Sequence, residues 1–166
     1  MLYTSAEAAK LLKKLNEEIE LIENLERQSS TFNAALGENP DDVRPEYDYE
    51  STQNKINELE QKIRTVKHAI NSFNLSHVVP DFNMTIDQLL VYIPQLTKRK
   101  QKFYSMQSKL PKTRENLRGS NIIDYCITNY DTKKVKEDYA AVSDELSQAQ
   151  TALDVINNSE KFEIDI

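Results

Sequence analysis

The residues with the clearest chemical character form a basic stretch between positions 98 and 118. The stretch holds eight basic residues against one acidic residue, Glu115, so its net charge is +7. Lysine and arginine neutralise phosphates, and the rings of Phe103 and Tyr104 can stack on bases. One interpretation is therefore a nucleic-acid contact, and another is a solvated helix end. The basic residues are Lys98, Arg99, Lys100, Lys102, Lys109, Lys112, Arg114 and Arg118.

An acidic stretch of comparable size lies earlier in the chain, between positions 38 and 60. It holds eight acidic residues against Arg44 and Lys55, a net charge of −6. Oppositely charged surfaces steer association and fix its register. A third interpretation of the basic stretch is therefore that it pairs with this acidic stretch, within one chain or between chains.

Other side chains with catalytic or metal-binding chemistry are few and scattered. His68 and His77 lack the spacing of a zinc motif such as H-E-x-x-H. Cys126 is the single cysteine, which excludes an intrachain disulfide and favours a buried structural thiol. Asn71 and Asn74 form a polar pair that caps a helix or fixes a loop, with binding of a ligand carbonyl as the alternative. The sequence thus predicts no catalytic group, no metal and no cofactor.

Four segments with helical periodicity must position these residues, at about 5–29, 46–73, 85–110 and 131–157. Apolar residues of the second and fourth segments alternate steps of three and four, which is the repeat of a left-handed coiled coil. These residues are Tyr49, Thr52, Ile56, Leu59, Ile63, Val66, Ile70 and Phe73, then Val135, Tyr139, Val142, Leu146, Ala149, Leu153 and Ile156. The sequence predicts a single, mainly α domain over 1–166, an antiparallel helical bundle with coiled-coil packing.

Local signals mark where these helices begin and end. Thr4 and Thr85 each open a capping-box pattern, and Asp131 is placed to cap the last helix. Residues 31–45 contain glycine and two prolines and predict a loop. Pro94 lies inside the third segment, where a kink or a break is expected because proline has no amide to donate.

A short β element is expected between the third and fourth helices. Residues 122–128 are rich in β-branched and aromatic side chains, and the turn signal Gly119-Ser120 precedes them. We predict a β-hairpin over 112–130, with a single extended connector as the alternative. Residues 161–166 alternate with period two and would add a strand to the hairpin edge or fray as a terminus.

No segment has the composition of a signal peptide or a membrane span. Glu7, Lys10 and Lys13 interrupt the N-terminal apolar residues, whereas a signal peptide needs about 7–15 of them in a row. The longest apolar run, residues 89–93, falls short of the roughly 20 residues of a bilayer span. We therefore expect a cytoplasmic protein, in agreement with the single cysteine.

The order of these pieces resembles a small bacterial and phage family that is usually labelled septicolysin-like. The resemblance covers nearly the whole chain and rests on the acidic, proline-containing segment 37–42 and on residues 69–74, 122–131 and 146–156. It implies an α-helical fold with a small β element, and it supplies no activity. The family label implies a membrane-damaging toxin.

These features favour a non-catalytic helical protein that acts through oligomerisation or partner binding, as a homo-oligomer through helical seams left open. The alternative is a nucleic-acid-binding module that grips phosphates with the 98–118 stretch. A membrane-active toxin is the third hypothesis, and only the family resemblance carries it.

Overall fold

The protein is mainly helical, with small antiparallel strand pairs, as the sequence predicted. The computed structural model describes residues 1–116 and 123–166. The helices are α1 (Ser5–Ser29), α2 (Pro40–Val43), α3 (Tyr49–Ser76), α4 (Ile86–Gln107) and α5 (Thr132–Ser159). The strands are β1 (Leu2–Thr4), β2 (Val78–Val79), β3 (Met84–Thr85), β4 (Lys112–Asn116), β5 (Ile123–Ile127) and β6 (Lys161–Glu163). They pair as β1 with β6, β2 with β3, and β4 with β5.

The chain divides into two compact units, and the first unit contains both the first and the last residues of the chain. This unit comprises Met1–Asn74 and Ile156–Ile166. Its core combines apolar side chains of α1 and α3 with one residue that follows β6, namely Ala8, Leu15, Leu59, Ile63, Val66 and Ile164. Burial of these side chains is the main force that holds α1, α3 and the end of the chain together. The prediction of one domain over 1–166 stays a prediction.

The end of the chain pairs with its beginning. Tyr3 lies opposite Phe162 in the antiparallel β1–β6 pair, and the Ile164 amide donates to the Met1 carbonyl at 2.9 Å. The expectation that residues 161–166 add to the β4–β5 edge or fray was wrong. A three-residue strand such as β1 is too short to show an alternating pattern, so the sequence did not identify this partner.

The second unit, Leu75–Val155, is built around α4 and α5. The Tyr92 hydroxyl donates to a Glu145 carboxylate oxygen at 2.6 Å, and the rings of Tyr104 and Tyr139 lie 6.0 Å apart. Tyr104, the later of the two α4 residues, therefore lies beside Tyr139, the earlier of the two α5 residues. The two helices run antiparallel. Residues buried in this unit are Val79, Ile86, Leu89, Leu96, Val135, Val142, Leu146 and Ala149.

The heptad positions of α3 and α5 are mostly covered within the chain. On α5, Tyr139 and Leu153 are half-buried, and the other five predicted positions are buried. On α3, the positions from Thr52 to Phe73 are buried or half-buried, whereas Tyr49 is exposed. The apolar stripes therefore leave little open seam for a second chain.

The predicted helix caps at Thr4, Thr85 and Asp131 are confirmed. The Thr4 hydroxyl accepts from the Glu7 amide at 3.2 Å, and the Glu7 carboxylate accepts from the Thr4 amide at 2.9 Å. The hydrogen bond from the Thr4 amide is the largest influence that lowers the pKa of the Glu7 carboxyl. Thr85 makes the same box with Gln88, and the Asp131 carboxylate accepts from the Lys133 amide at 2.8 Å.

Two local expectations need correction. Helix α4 runs through Pro94 without a break, so of the two expected outcomes, a kink or a break, the break was wrong. Both Leu90 and Pro94 are exposed, so water can solvate the carbonyl of residue 90 that loses its donor. The predicted loop 31–45 contains the short helix α2, which begins at Pro40 after the N-cap Asn39, a combination that favours a helix start.

Candidate functional site: the basic hairpin surface

The β4–β5 hairpin separates its side chains into two chemically different faces. In the antiparallel register, Lys112 lies opposite Ile127 and Arg114 opposite Tyr125. Side chains alternate along a strand, so these four residues share one face with Ile123. The other face carries the polar or small residues Thr113, Glu115, Asp124 and Cys126. The predicted strand pairing is confirmed, and its predicted turn at Gly119-Ser120 lies outside the described residues.

The apolar and basic face of this hairpin is exposed to solvent. Every residue of β5 is exposed, and Ile127 keeps 66% of its surface accessible. The Lys112 ammonium lies 4.0 Å from the centre of the Tyr125 ring, which is a cation–π contact. A two-stranded hairpin has no core of its own and is marginal in water. The face therefore has apolar surface available for a partner.

Hydrogen bonds fix the base of the hairpin to the end of α4. The Pro111 carbonyl accepts from the Thr128 amide at 3.1 Å, which closes the hairpin next to its first residue pair. The Tyr130 hydroxyl donates to the Met106 carbonyl at 2.9 Å. This carbonyl belongs to the last turn of α4, so the bond caps the helix and anchors the chain that leaves β5.

The described residues of the predicted basic stretch lie on α4 and near the hairpin. Lys98 and Lys102 are exposed and share one side of α4, since they are four residues apart. Arg99 faces Tyr92, where its guanidinium opposes part of the rise in pKa that the Glu145 hydrogen bond causes in the Tyr92 hydroxyl. Lys100 is half-buried.

The remaining basic residues lie near the hairpin. Lys109, Lys112 and Arg114 are exposed, and Arg118 lies outside the described residues. Within 1–116 and 123–166, no ion pair joins Lys109, Lys112 or Arg114 to an acidic side chain. We define the basic hairpin surface as Lys109, Leu110, Lys112, Arg114, Ile123, Tyr125 and Ile127.

Acidic residues line an open groove in the first unit. Asp48, Glu50 and Glu58 border a cavity of about 450 Å³ together with Lys55. A second cavity of about 310 Å³ shares Asp48, Ser51 and Lys55 with the first and adds side chains of α1. We call the two cavities the acidic groove. Its further lining residues are Asn54 in the first cavity and Ile22, Leu25, Glu26, Ser29, Glu46, Tyr47 and Thr52 in the second.

Hydrogen bonds give the wall of this groove a fixed shape. One carboxylate oxygen of Glu26 accepts from the Tyr47 hydroxyl at 2.6 Å and from the Gln53 amide at 2.8 Å. The bond to Glu26 raises the pKa of Tyr47 to about 12. Asp48 caps α3, because its carboxylate accepts from the Ser51 amide at 3.0 Å. These contacts connect α1, the segment before α3 and the first turns of α3.

The other residues singled out in the sequence lie on α3, just after it, or on β5. Asn71 and Asn74 lie inside the last turns of α3, which extends to Ser76 instead of ending near residue 73. Cys126 is exposed, so the prediction of a buried thiol was wrong, because the polar face of the hairpin is uncovered. His68 is exposed on α3.

Neither a metal-binding group nor a membrane-spanning helix is found among the described residues. Among residues 1–116 and 123–166, no group of three or more histidine, cysteine, aspartate or glutamate side chains has the arrangement of a metal site. In the same part of the chain, none of the helices combines the length and apolar character that a membrane span requires.

The sequence identified Glu46, Asp48, Glu50 and Glu58 as part of the acidic stretch 38–60 but did not identify the groove that they line, although one further signal for part of it exists. Asp48 followed by Ser51 is an N-cap pattern that would have placed the start of α3. By contrast, the Tyr47–Glu26 bond joins residues 21 positions apart. Its existence depends on how α1 packs against α3, and no local pattern encodes that.

Comparisons with known proteins find a similar fold in one protein of unknown function. No model of a protein family matches the chain, and no curated protein matches it. The chain is similar to a crystal structure of a functionally unknown conserved protein from Corynebacterium diphtheriae, with a TM-score of 0.61 and 15% identity. That likeness covers 98% of this chain and 100% of the other. At this identity it shows a shared fold.

Proposed function

We propose that the chain is a non-catalytic helical protein that acts by binding a partner through the basic hairpin surface. The observation that carries this proposal is the exposed face of β4–β5, which joins Ile123, Tyr125 and Ile127 to Lys112 and Arg114. Apolar side chains that are grouped on an exposed face mark interaction sites more often than scattered ones do. Aromatic and arginine side chains are also the residues that interfaces enrich.

We propose further that the helices pack as an antiparallel bundle with coiled-coil seams. The burial of most heptad positions of α3 and α5 supports this packing. Because these positions are covered within one chain, association between chains is assigned to the hairpin surface instead of to an open seam.

A nucleic acid is the second candidate partner. The observation that favours it is the Lys112–Tyr125 contact, which places a cation at an exposed aromatic ring beside Arg114. Single-stranded nucleic acids bind to surfaces that combine basic residues with stacking rings. Lys112 covers one side of the Tyr125 ring, so a base would stack on the other side.

The test compares the wild type with a triple variant of the basic hairpin surface, Lys109→Glu, Lys112→Glu and Arg114→Glu. Lys14→Glu, Lys62→Glu and Lys67→Glu form the matched control, since these lysines are exposed on α1 and α3. The measurements are solution mass by light scattering and retention on single-stranded DNA and RNA columns.

We expect the hairpin variant to lower the solution mass at least twofold or the retention at least several-fold, and the control to leave both near the wild-type values. If the hairpin variant matches the wild type in both measurements, the proposed function is wrong. A salt-dependent loss of retention at constant mass would identify nucleic acid as the partner.

A further inference from the structure

We infer that the partner of the basic hairpin surface is the acidic groove of a second copy of this chain. The inference rests on the proposed function, because it names the partner of the same surface. It follows from three properties of the two surfaces, which are opposite charge, apolar side chains on both and exposure of both in the single chain.

The two surfaces are complementary in charge. The basic hairpin surface presents three cations, Lys109, Lys112 and Arg114. The acidic groove is lined by Glu26, Glu46, Asp48, Glu50 and Glu58, with Lys55 as its single basic lining residue. The excess of one sign of charge on each surface disfavours hairpin–hairpin and groove–groove contacts and favours the mixed contact.

Both surfaces also bring apolar side chains to the contact. The hairpin offers the exposed residues Ile123, Tyr125 and Ile127. The groove contains Ile22 and Leu25 of α1, and 55% of the Leu25 surface is accessible. Burial of these side chains would add to the affinity, and the opposite charges would both strengthen the contact and select its orientation.

The groove is preformed on the side that receives the hairpin. The Glu26 carboxylate is held by Tyr47 and Gln53, and Asp48 is held by its role as the α3 cap. Glu46, Glu50 and Glu58 are exposed and remain available to a cation from outside. A closed assembly would use one hairpin surface and one groove of every copy.

The experiment combines two variants that carry opposite defects. The hairpin variant is Lys109→Glu, Lys112→Glu and Arg114→Glu, and it keeps an intact groove. The groove variant is Glu46→Lys, Glu50→Lys and Glu58→Lys, and it keeps an intact hairpin. Glu18→Lys, Glu20→Lys and Glu23→Lys is the matched control for the groove, since these residues are exposed on α1.

We expect the wild type to have at least twice the mass of one chain by light scattering at low ionic strength. Raising the ionic strength to about 1 M shortens the screening length to about 3 Å and should return the monomer mass. Each variant alone should be monomeric, and an equimolar mixture of both should recover the larger mass, because the intact hairpin of one meets the intact groove of the other. The control should assemble as the wild type does. Circular dichroism checks that every variant is folded.

A wild type that is monomeric at low ionic strength, or a mixture that does not recover the larger mass, overturns the inference. Retention of the protein on single-stranded DNA and RNA columns distinguishes failure of this inference from failure of the proposed function. If a monomeric wild type is retained and the hairpin variant is not, the surface binds nucleic acid and the proposed function stands. If neither the mass nor the retention depends on the hairpin residues, both proposals are wrong.

Discussion

At the scale of single residues, the Tyr47–Glu26 hydrogen bond makes a specific prediction. Its 2.6 Å length and the carboxylate acceptor stabilise the protonated phenol, which raises the pKa of Tyr47 from 10.0 to about 12. A pKa that is higher in the folded chain gives stability that is complete below pH 10.0 and is lost as the pH rises through about 12.

We expect Tyr47→Phe to remove one high-pH step from the tyrosinate absorbance titration and to lower the melting temperature at neutral pH. Glu26→Gln should move the same step toward pH 10.0, because it removes the negative acceptor. The matched control is Tyr104→Phe, which changes an exposed tyrosine of α4 and should leave the step in place. An unchanged titration in both Tyr47→Phe and Glu26→Gln would contradict the assignment.

At the scale of elements, the capping box of α4 predicts a measurable loss of stability. The Thr85 hydroxyl accepts from the Gln88 amide at 3.3 Å, and Gln88 accepts in turn from the Thr85 amide at 3.0 Å. Thr85→Ala leaves the Gln88 amide without this acceptor, so the free energy of unfolding should fall by about 1 kcal/mol. Urea unfolding followed by circular dichroism measures the difference.

Thr97→Ala is the control for this substitution within the same helix. The Thr97 hydroxyl donates to the Ile93 carbonyl at 2.9 Å, a bond inside the helix that adds little stability. Thr85→Ser keeps the capping oxygen and should restore most of the loss. Equal losses for Thr85→Ala and Thr97→Ala would show that the cap does not determine the stability of α4.

The elements also show which features a sequence can predict. The caps at Thr4, Thr85 and Asp131 were predicted because each depends on a few neighbouring residues. The heptads of α3 and α5 were predictable because periodicity identifies the buried side of a helix. The sequence left open whether α4 would kink or break at Pro94, since the outcome depends on which side of the helix faces water.

At the scale of the whole molecule, the core of the first unit depends on a residue close to the end of the chain. Ile164 is fully buried among side chains such as Ala8, Leu15 and Val66. Ile164→Ala would leave a cavity there and should lower the free energy of unfolding by about 2–5 kcal/mol. Chemical denaturation measures this loss.

The matched control is Ile166→Ala, the same substitution two residues later. Ile166 is 43% exposed, so its replacement should change the free energy of unfolding by less than about 0.5 kcal/mol. Similar losses for the two substitutions would mean that Ile164 does not complete the core.

Contacts between distant parts of the chain account for most of what sequence reasoning missed. The β1–β6 pair joins Leu2 to Glu163, and the Glu26 bonds join α1 to residues before and within α3. Neither arrangement leaves a repeat or a motif in neighbouring residues. The basic stretch was visible in the sequence. Only the structure shows that Arg99 lies at Tyr92 whereas other cations of the stretch lie at the hairpin.

The pairing of β1 with β6 also orders events during synthesis of the chain. The second unit is a continuous segment, Leu75–Val155. All of its residues therefore leave the ribosome before Ile164, which belongs to the first unit, does so. Residues 1–74 are made earlier, yet their core lacks one of its buried side chains until that isoleucine emerges. Since domains generally fold from the N-terminus during translation, this chain should reverse the usual order, with its first-made helices the last to become stable.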